Sequence, residues 1–210
     1  MWGALDLLFP IACAGCGAQG SAWCARCATA FQPALIRPAP EGVRLCAALT
    51  AYDGPAGDAL RRAKYGGDRA AMQRLSELAA AHGAAFAAGH DAIVPVPTPW
   101  FRRLSRGFAP ASVLAAELAR ASGVPVVTAL RMAPGRRQAG LDVGMRAANL
   151  AGRMRARRDV PAPGRVLLVD DVLTTGATAA AAARELLGEA TRAVDVLVLC
   201  AVSLEADRAG

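Results

Sequence analysis

The sequence predicts an α/β domain built on a parallel sheet, preceded by a small cysteine-rich segment that binds metal. Three observations carry this. From about Leu49 onward, short apolar runs alternate with alanine-rich stretches of helical composition. That is the order of a parallel sheet with crossover helices. One apolar run, Val166-Leu167-Leu168-Val169, leads straight into Asp170 and Asp171, then a hydroxyl-rich loop, then an alanine-rich helix. Four of the 6 cysteines stand as two CxxC pairs within residues 1–30.

Three zones follow. Residues 1–30 form the expected zinc-binding ribbon or knuckle. Residues 31–48 carry Pro33, Pro38 and Pro40 without any periodic pattern and read as a linker. Residues 49–210 form the main domain. Within it, 56–64 and 68–88 have helical composition. Ala92 to Val96 is a short buried strand, ended by Pro97 and Pro99. Residues 109–121 repeat apolar positions at helical spacing, and Gly123 stops that helix. Val124 to Leu130 is a second strand candidate, interrupted by Pro125. Residues 131–160 are basic and irregular at first, then weakly helical around Met145 to Met154. A strand over 165–170, a helix over 177–187 with Gly188 as its C-cap, and a strand over 193–200 close the domain.

Composition bounds the function classes. A chain of 210 residues holds one sizeable domain and a small appendage. With 54% apolar and 20% charged residues it is globular rather than disordered. The formal net charge is +7, and among the 24 basic residues Lys64 is the only lysine. Either an anionic partner, phosphate or nucleic acid, or a coding bias toward arginine accounts for that surplus. No apolar run reaches the ~18 residues needed to span a bilayer, so membrane insertion is not expected. The apolar start lacks a basic leader and carries Asp6, which argues against an export signal. A cytoplasmic location is expected, where stable disulfides are rare.

Cys13-x-x-Cys16 and Cys24-x-x-Cys27 each put two thiolates on one metal through a tight turn. Four thiolates suit tetrahedral zinc and explain how so short a segment folds without a core. Four sulfur ligands leave no open position, so the expected zinc is structural and single. A redox pair would need only one CxxC and a βαβ context that is missing. Cys46 and Cys200 are isolated, and Cys200 reads as a core residue.

The acid pair carries the chemistry. It stands at the C-terminal end of a strand, where open α/β sheets bind ligands. Consecutive residues on a strand point to opposite sides, so one acid can face a ligand while the other orients a neighbour. Carboxylates accept from ribose hydroxyls and hold Mg²⁺ directly or through water. Thr174, Thr175 and Thr178 add hydroxyls, and Gly176 lets the backbone approach a phosphate. The N-terminus at Ala177 favours an anion. The alternative is an ordinary strand–turn–helix with a Thr or Asp cap, which needs one such residue where this loop supplies five.

Val-Leu-Leu-Val-Asp-Asp-Val-Leu-Thr-Thr-Gly-Ala-Thr, residues 166–178, resembles the phosphoribosyl-diphosphate (PRPP) motif of type I phosphoribosyltransferases. Nearly the whole chain resembles the ComF family. Leu7-Leu8-Phe9-Pro10 leads into the CxxC pairs. Tyr52-Asp53-Gly54 is followed by Lys64-Tyr65-Gly66-Gly67-Asp68, then by Val94-Pro95-Val96-Pro97 and Arg102-Arg103-Leu104-Ser105-Arg106-Gly107-Phe108. Gln138-Ala139-Gly140-Leu141, Arg146 and Asn149 precede the PRPP motif. Many members carry a second cysteine set, where this chain has only Cys46, so one zinc is expected rather than two.

The resemblance implies a type I phosphoribosyltransferase fold with an N-terminal zinc ribbon. It implies that Asp170 and Asp171 contact the ribose hydroxyls of PRPP, that Mg²⁺ accompanies its diphosphate, and that Thr174, Thr175, Gly176, Ala177 and Thr178 hold the 5′-phosphate. Displacing diphosphate needs cations near the departing charge. Arg102, Arg103 and Arg106 stand where such enzymes have their diphosphate loop. Arg136 and Arg137 resemble a closing active-site loop. Lys64 is assigned to the diphosphate or the nucleobase side. His82 and His90 read as surface residues. Two functions stay open: a phosphoribosyltransferase of unnamed acceptor, or a non-catalytic module that binds PRPP and single-stranded DNA together with DNA-uptake proteins in natural transformation. The basic surplus and Trp23 favour the second. The low aromatic content, 5%, weighs against it. With all four early cysteines committed to CxxC pairs, no glutaminase-type N-terminal nucleophile is left, which argues against a glutamine-dependent amidotransferase.

Overall fold

The apolar runs pair into one sheet of strand order β1-β2-β7-β6-β3. The computed structural model describes residues 11–31, 35–133, 152–161 and 163–202. β1 (Leu35–Arg37) lies antiparallel to β2 (Cys46–Ala51) at the edge. β2, β7 (Ala193–Ala201), β6 (Arg165–Leu173) and β3 (Ala92–Pro95) then run parallel. A parallel bridge from Val126 to Ile93 extends the sheet past β3. The expected mixed α/β domain around a mostly parallel sheet is the observed one.

Alternation along the strands sorts the core into two layers. Leu167 and Val169 of β6, Leu197 of β7 and Leu49 of β2 pack on one face. They meet α2 (Pro55–Gly66), α3 (Arg69–Ala87) and α5 (Pro110–Ser122) through Leu60, Leu75 and Leu118. Val166 and Leu168 point the other way with Val196 and Val198. There they meet α6 (Ala177–Leu186) through Ala182 and Leu186. They also meet a two-stranded hairpin of β4 (Leu130–Met132) and β5 (Met154–Ala156). Strands buried on both faces are why β6 and β7 read as near-continuous apolar runs. One helical turn, α1 (Ala25–Ala28), precedes these elements in the cysteine segment and carries Cys27. The helices have local causes too. Pro55 and Pro110 open α2 and α5 at positions where the missing N–H is harmless. Asp68 caps α3 by accepting from Ala71 N at 2.9 Å.

The topology fixes where a ligand can enter. After β3 the chain crosses through α4 (Trp100–Arg106) and α5 to Val126, on one side of β3. After β6 it crosses through α6 to β7, on the other side. The two crossovers diverge between β3 and β6, so a crevice opens beyond their C-terminal ends.

Several expectations are corrected. The stretch 31–48 contains β1 and the start of β2, because its exposed Leu35 and Ile36 and buried Cys46 and Ala47 extend the sheet. Of Val124 to Leu130, only the Val126 bridge and the first residue of β4 are sheet, with Pro125 removing a donor in between. Met154 opens strand β5 rather than ending a helix; residues 145–151 lie outside the described residues. The helix α6 ends on Leu187, in extended conformation, not on Gly188. α4 (Trp100–Arg106) is a helix where a diphosphate loop was expected. His90 is not a surface residue. Its side chain is 4% exposed, with Nε2 2.9 Å from Asp195 Oδ2 and Nδ1 3.1 Å from Ala87 O. His82 is exposed, as expected, and its ring stacks on Phe31.

Asp195 is the one carboxylate buried within the described strands, 1% exposed, near the start of β7. It accepts from Leu45 N at 3.1 Å and pairs with Arg44 as well as His90. Asp195→Ala strands all three partners. It is expected to cost about 3–5 kcal/mol, read as a lower urea midpoint with unchanged slope.

Candidate functional site

The crevice between β3 and β6 is a cavity of about 330 Å³. Its floor is Asp170, Asp171 and Val172 at the end of β6. Val96, Pro97, Thr98 and Pro99 after β3 form one wall, continued by Arg102 and Arg106 of α4. Lys64 and Tyr65, from the last turn of α2, close a second side. Thr178 of α6 and the hairpin residues Met132 and Met154 complete it.

Strand alternation explains the division of labour between the acids. Val169 packs in the layer under α2, and Asp171, two residues on, meets α2 again. Lys64 Nζ lies 2.8 Å from Asp171 Oδ1, with both side chains largely shielded from water. Asp170 Oδ1 accepts from the backbone N–H of Asp171 at 2.8 Å. Burial first, and then the charge of Asp171, push the Asp170 carboxyl up from 3.8 to about 7, against that N–H and Lys64.

The cations sit across the cavity. Arg106 ends α4, and Gly107, at φ 77°, lets the chain turn away at once. The Arg106 guanidinium is half-buried and lies 5.9 Å from the centre of the Tyr65 ring. Burial and the neighbouring Arg102 lower its pKa, while Asp171 and Tyr65 oppose that. Arg103 is exposed and not part of the cavity wall. Arg136 and Arg137 lie outside the described residues.

The loop into α6 has a shape imposed from outside. Gly176 has φ 78°, and a Cβ there would lie 2.6 Å from Pro40 Cγ. Only glycine satisfies both demands. Thr175 Oγ1 accepts weakly from Ala177 N at 3.4 Å. Thr174 and Thr175 are exposed, and of the loop residues 174–178 only Thr178 lines the cavity. The sequence reading therefore finds Asp170, Asp171, Lys64, Arg102, Arg106 and Thr178 in one place. It missed Thr98, Tyr65, Met132 and Met154. Tyr65 was legible as the neighbour of Lys64. The methionines come from a hairpin whose strands are three residues long, too short for a periodic signal.

The cysteines converge as expected. The Sγ atoms of Cys13, Cys16, Cys24 and Cys27 all lie within 4.8 Å of one another, and Cys16 Sγ is 3.7 Å from Cys24 Sγ. A tetrahedral ion with sulfur at ~2.3 Å sets S–S edges near ~3.8 Å, so this set fits one zinc. Cys24 N donates to Cys13 Sγ at 3.3 Å. Against burial, which would raise it, backbone donors at Cys24, Cys16 and Gly15 bring Cys13 down to about 6. A Cβ on Gly15 would lie 2.7 Å from Cys27 Sγ, so glycine is what lets the two turns close. Cys46 and Cys200 are buried; burial pushes the Cys200 thiol up to about 12, consistent with an inert core residue. Trp23 packs edge-on against Phe31 and the main core, so its ring does not form an open stacking platform.

No family model matches the chain, and no curated protein matches it. Among solved structures, one similar chain is orotate phosphoribosyltransferase from Aeropyrum pernix, at 25% identity and a TM-score of 0.40, over 64% of this chain and 62% of that one. Another is the allosteric regulatory enzyme of purine biosynthesis, at 20% identity and a TM-score of 0.36, over 60% of this chain and 25% of that one. The match thus spans less than two thirds of either protein's length.

Two expected outcomes follow from this geometry. Metal analysis of the native protein returns about one zinc per chain, and Cys27→Ser abolishes it. A zinc-free native protein would overturn the reading of the four cysteines. For Asp170, a folded pKa of about 7 against 3.8 means that the native state holds its proton longer than the unfolded chain. Stability then falls as pH rises from near 4 through about 7. Asp170→Asn should raise the melting temperature at pH ~8 and leave it nearly unchanged at pH ~4. Equal melting shifts at both pH values would contradict this.

Proposed function

We propose that this chain is a Mg²⁺-dependent PRPP-binding protein of phosphoribosyltransferase type. The observation that carries the reading is the meeting of Asp170 and Asp171 with Lys64, Arg102 and Arg106 around one cavity at the switch point of the sheet. Acids on the floor suit the hydroxyls of a ribose, and cations on the wall suit a diphosphate. The loop before α6 suits a terminal phosphate, through free N–H groups and Thr178. The resemblance of residues 166–178 to the PRPP motif agrees with this division. The resemblance to the ComF family supports a cytoplasmic protein associated with DNA uptake and natural transformation.

The chemistry proposed is displacement of diphosphate from C1 of the ribose. Asp170 and Asp171 accept from the ribose hydroxyls and orient the ring. Positive charge builds at C1 as the bond to diphosphate lengthens, and the carboxylates beneath it favour that charge. Arg102 and Arg106 hold the departing diphosphate. The oxygen donors of Asp170 and Asp171 fit a hard cation, so they would help hold a magnesium ion carried by the diphosphate, and that ion would offset part of the leaving group's charge. Lys64 pairs with Asp171 at 2.8 Å and aims it. Among the described residues, the cavity lining holds no carboxylate or histidine besides Asp170 and Asp171. The module that holds PRPP and single-stranded DNA without turnover is the weaker reading, because Trp23 is engaged in the core.

Titration calorimetry should find PRPP binding that requires Mg²⁺. Asp170→Asn combined with Asp171→Asn should weaken it by at least ~100-fold, the loss of two charge-assisted hydrogen bonds. PRPP binding that is absent, or indifferent to both substitutions, would sink the proposal. Diphosphate release on adding a base or amine to the PRPP complex separates an enzyme from a binding module.

A further inference from the structure

The β4–β5 hairpin has two chemically different faces. Met132 and Met154, opposite each other, turn inward to line the cavity. Arg131 and Arg155, also directly opposite each other, turn outward and are exposed. Like charges placed directly opposite across an antiparallel pair repel. Arg158 joins them around a groove of about 510 Å³ that is separate from the candidate site.

The acids in this groove are already engaged. Asp159 is paired with Arg157 at 2.6 Å. Glu185 Oε2 accepts from Ala156 N at 3.1 Å, and its Oε1 is a distant 3.5 Å from Arg155. Among the described residues, neither Arg131 nor Arg158 has an acid within salt-bridge reach. Arg155 also donates to the backbone carbonyls of Gly152, at 2.9 Å, and Met154, at 2.5 Å, so among the described residues the groove carries two guanidiniums without an ion-pair partner and one held mainly by backbone carbonyls.

We infer that this groove is a second anion site, for a compact polyphosphate such as triphosphate. Guanidinium forks match phosphate oxygens bidentately. Three guanidiniums call for more than one negative charge. An extended nucleic-acid backbone fits less well, because Arg131, Arg155 and Arg158 gather around one groove rather than along a stripe. An anion between Arg131 and Arg155 also relieves the repulsion across the hairpin. The site does not depend on what the cavity between β3 and β6 binds.

The test uses the full chain and inorganic tripolyphosphate at ~150 mM salt, where weak surface attraction is screened. Lys64→Ala with Arg106→Ala first removes cations from the cavity. In that background tripolyphosphate should still bind. Adding Arg131→Ser with Arg155→Ser should weaken it by about 100-fold, whereas Arg131→Lys with Arg155→Lys should cost only about 10-fold, since charge survives and the fork does not. Circular dichroism checks that the hairpin variants fold, and Arg131→Gln alone, expected to cost about 10-fold, serves if the double variant does not. Binding lost with the cavity substitutions alone overturns the inference, as does binding indifferent to the hairpin arginines. So does a groove that takes an oligothymidine but not tripolyphosphate.

Discussion

Two carboxylates in succession at the end of a buried strand repel each other, and the Lys64–Asp171 ion pair is what makes that arrangement tenable. The side chains are 13% and 17% exposed, so the attraction is weakly screened. The pair works only if α2 holds its last turn still. Gly57 lets α2 lie against the end of β2: a Cβ there would fall 1.5 Å from the carbonyl oxygen of Tyr52. At its other end α2 meets the cysteine knuckle, where Gly15 abuts Pro55 and Arg62 donates to Gly15 O at 3.4 Å. Trp23, Phe31 and His82 form a file of rings that seats the knuckle on α3. The four-cysteine cluster thereby supports the helix that delivers the single lysine.

The sheet supplies the other constraint. Its polar groups are confined to its ends. Asp195, His90 and Arg44 gather at the start of β7, while Asp170 and Asp171 stand at the end of β6. Between them, Leu167, Leu168 and Val169 are wholly buried. The lower cluster has every polar atom of Asp195 engaged and is a finished structural joint. The upper one keeps arginines and a tyrosine facing open space, which is the difference between a joint and a site.

The main elements were legible because each has a strong local cause. Double-sided burial made β6 and β7 continuous apolar runs, and Pro55, Asp68, Pro110 and Gly123 punctuated the helices within a residue or two of their observed ends. The acid pair and the two CxxC pairs were legible because their residue types are costly without a partner. What was missed depends on contacts made far along the chain. β1 forms only because β2 is beside it, and a three-residue strand has no period to read. His90 looked solvated because Asp195, its partner, is 105 residues away. Met132 and Met154 reach the cavity through pairing between strands that are each silent in sequence.

The packing of Gly176 on Pro40 has a consequence for how the molecule can be divided. The loop at the foot of α6 owes its form to a residue that precedes β2, in a stretch whose composition suggests a dispensable connector. A fragment beginning at residue 49 would keep the acid pair, the arginines and the whole loop sequence. It would lose the proline against which that loop is moulded, the edge strand, the first half of β2 and the brace under α2. The catalytic-looking part and the appendage are thus separable on paper but share one mechanical frame, and an insertion between β1 and β2 would be felt at the opposite end of the chain.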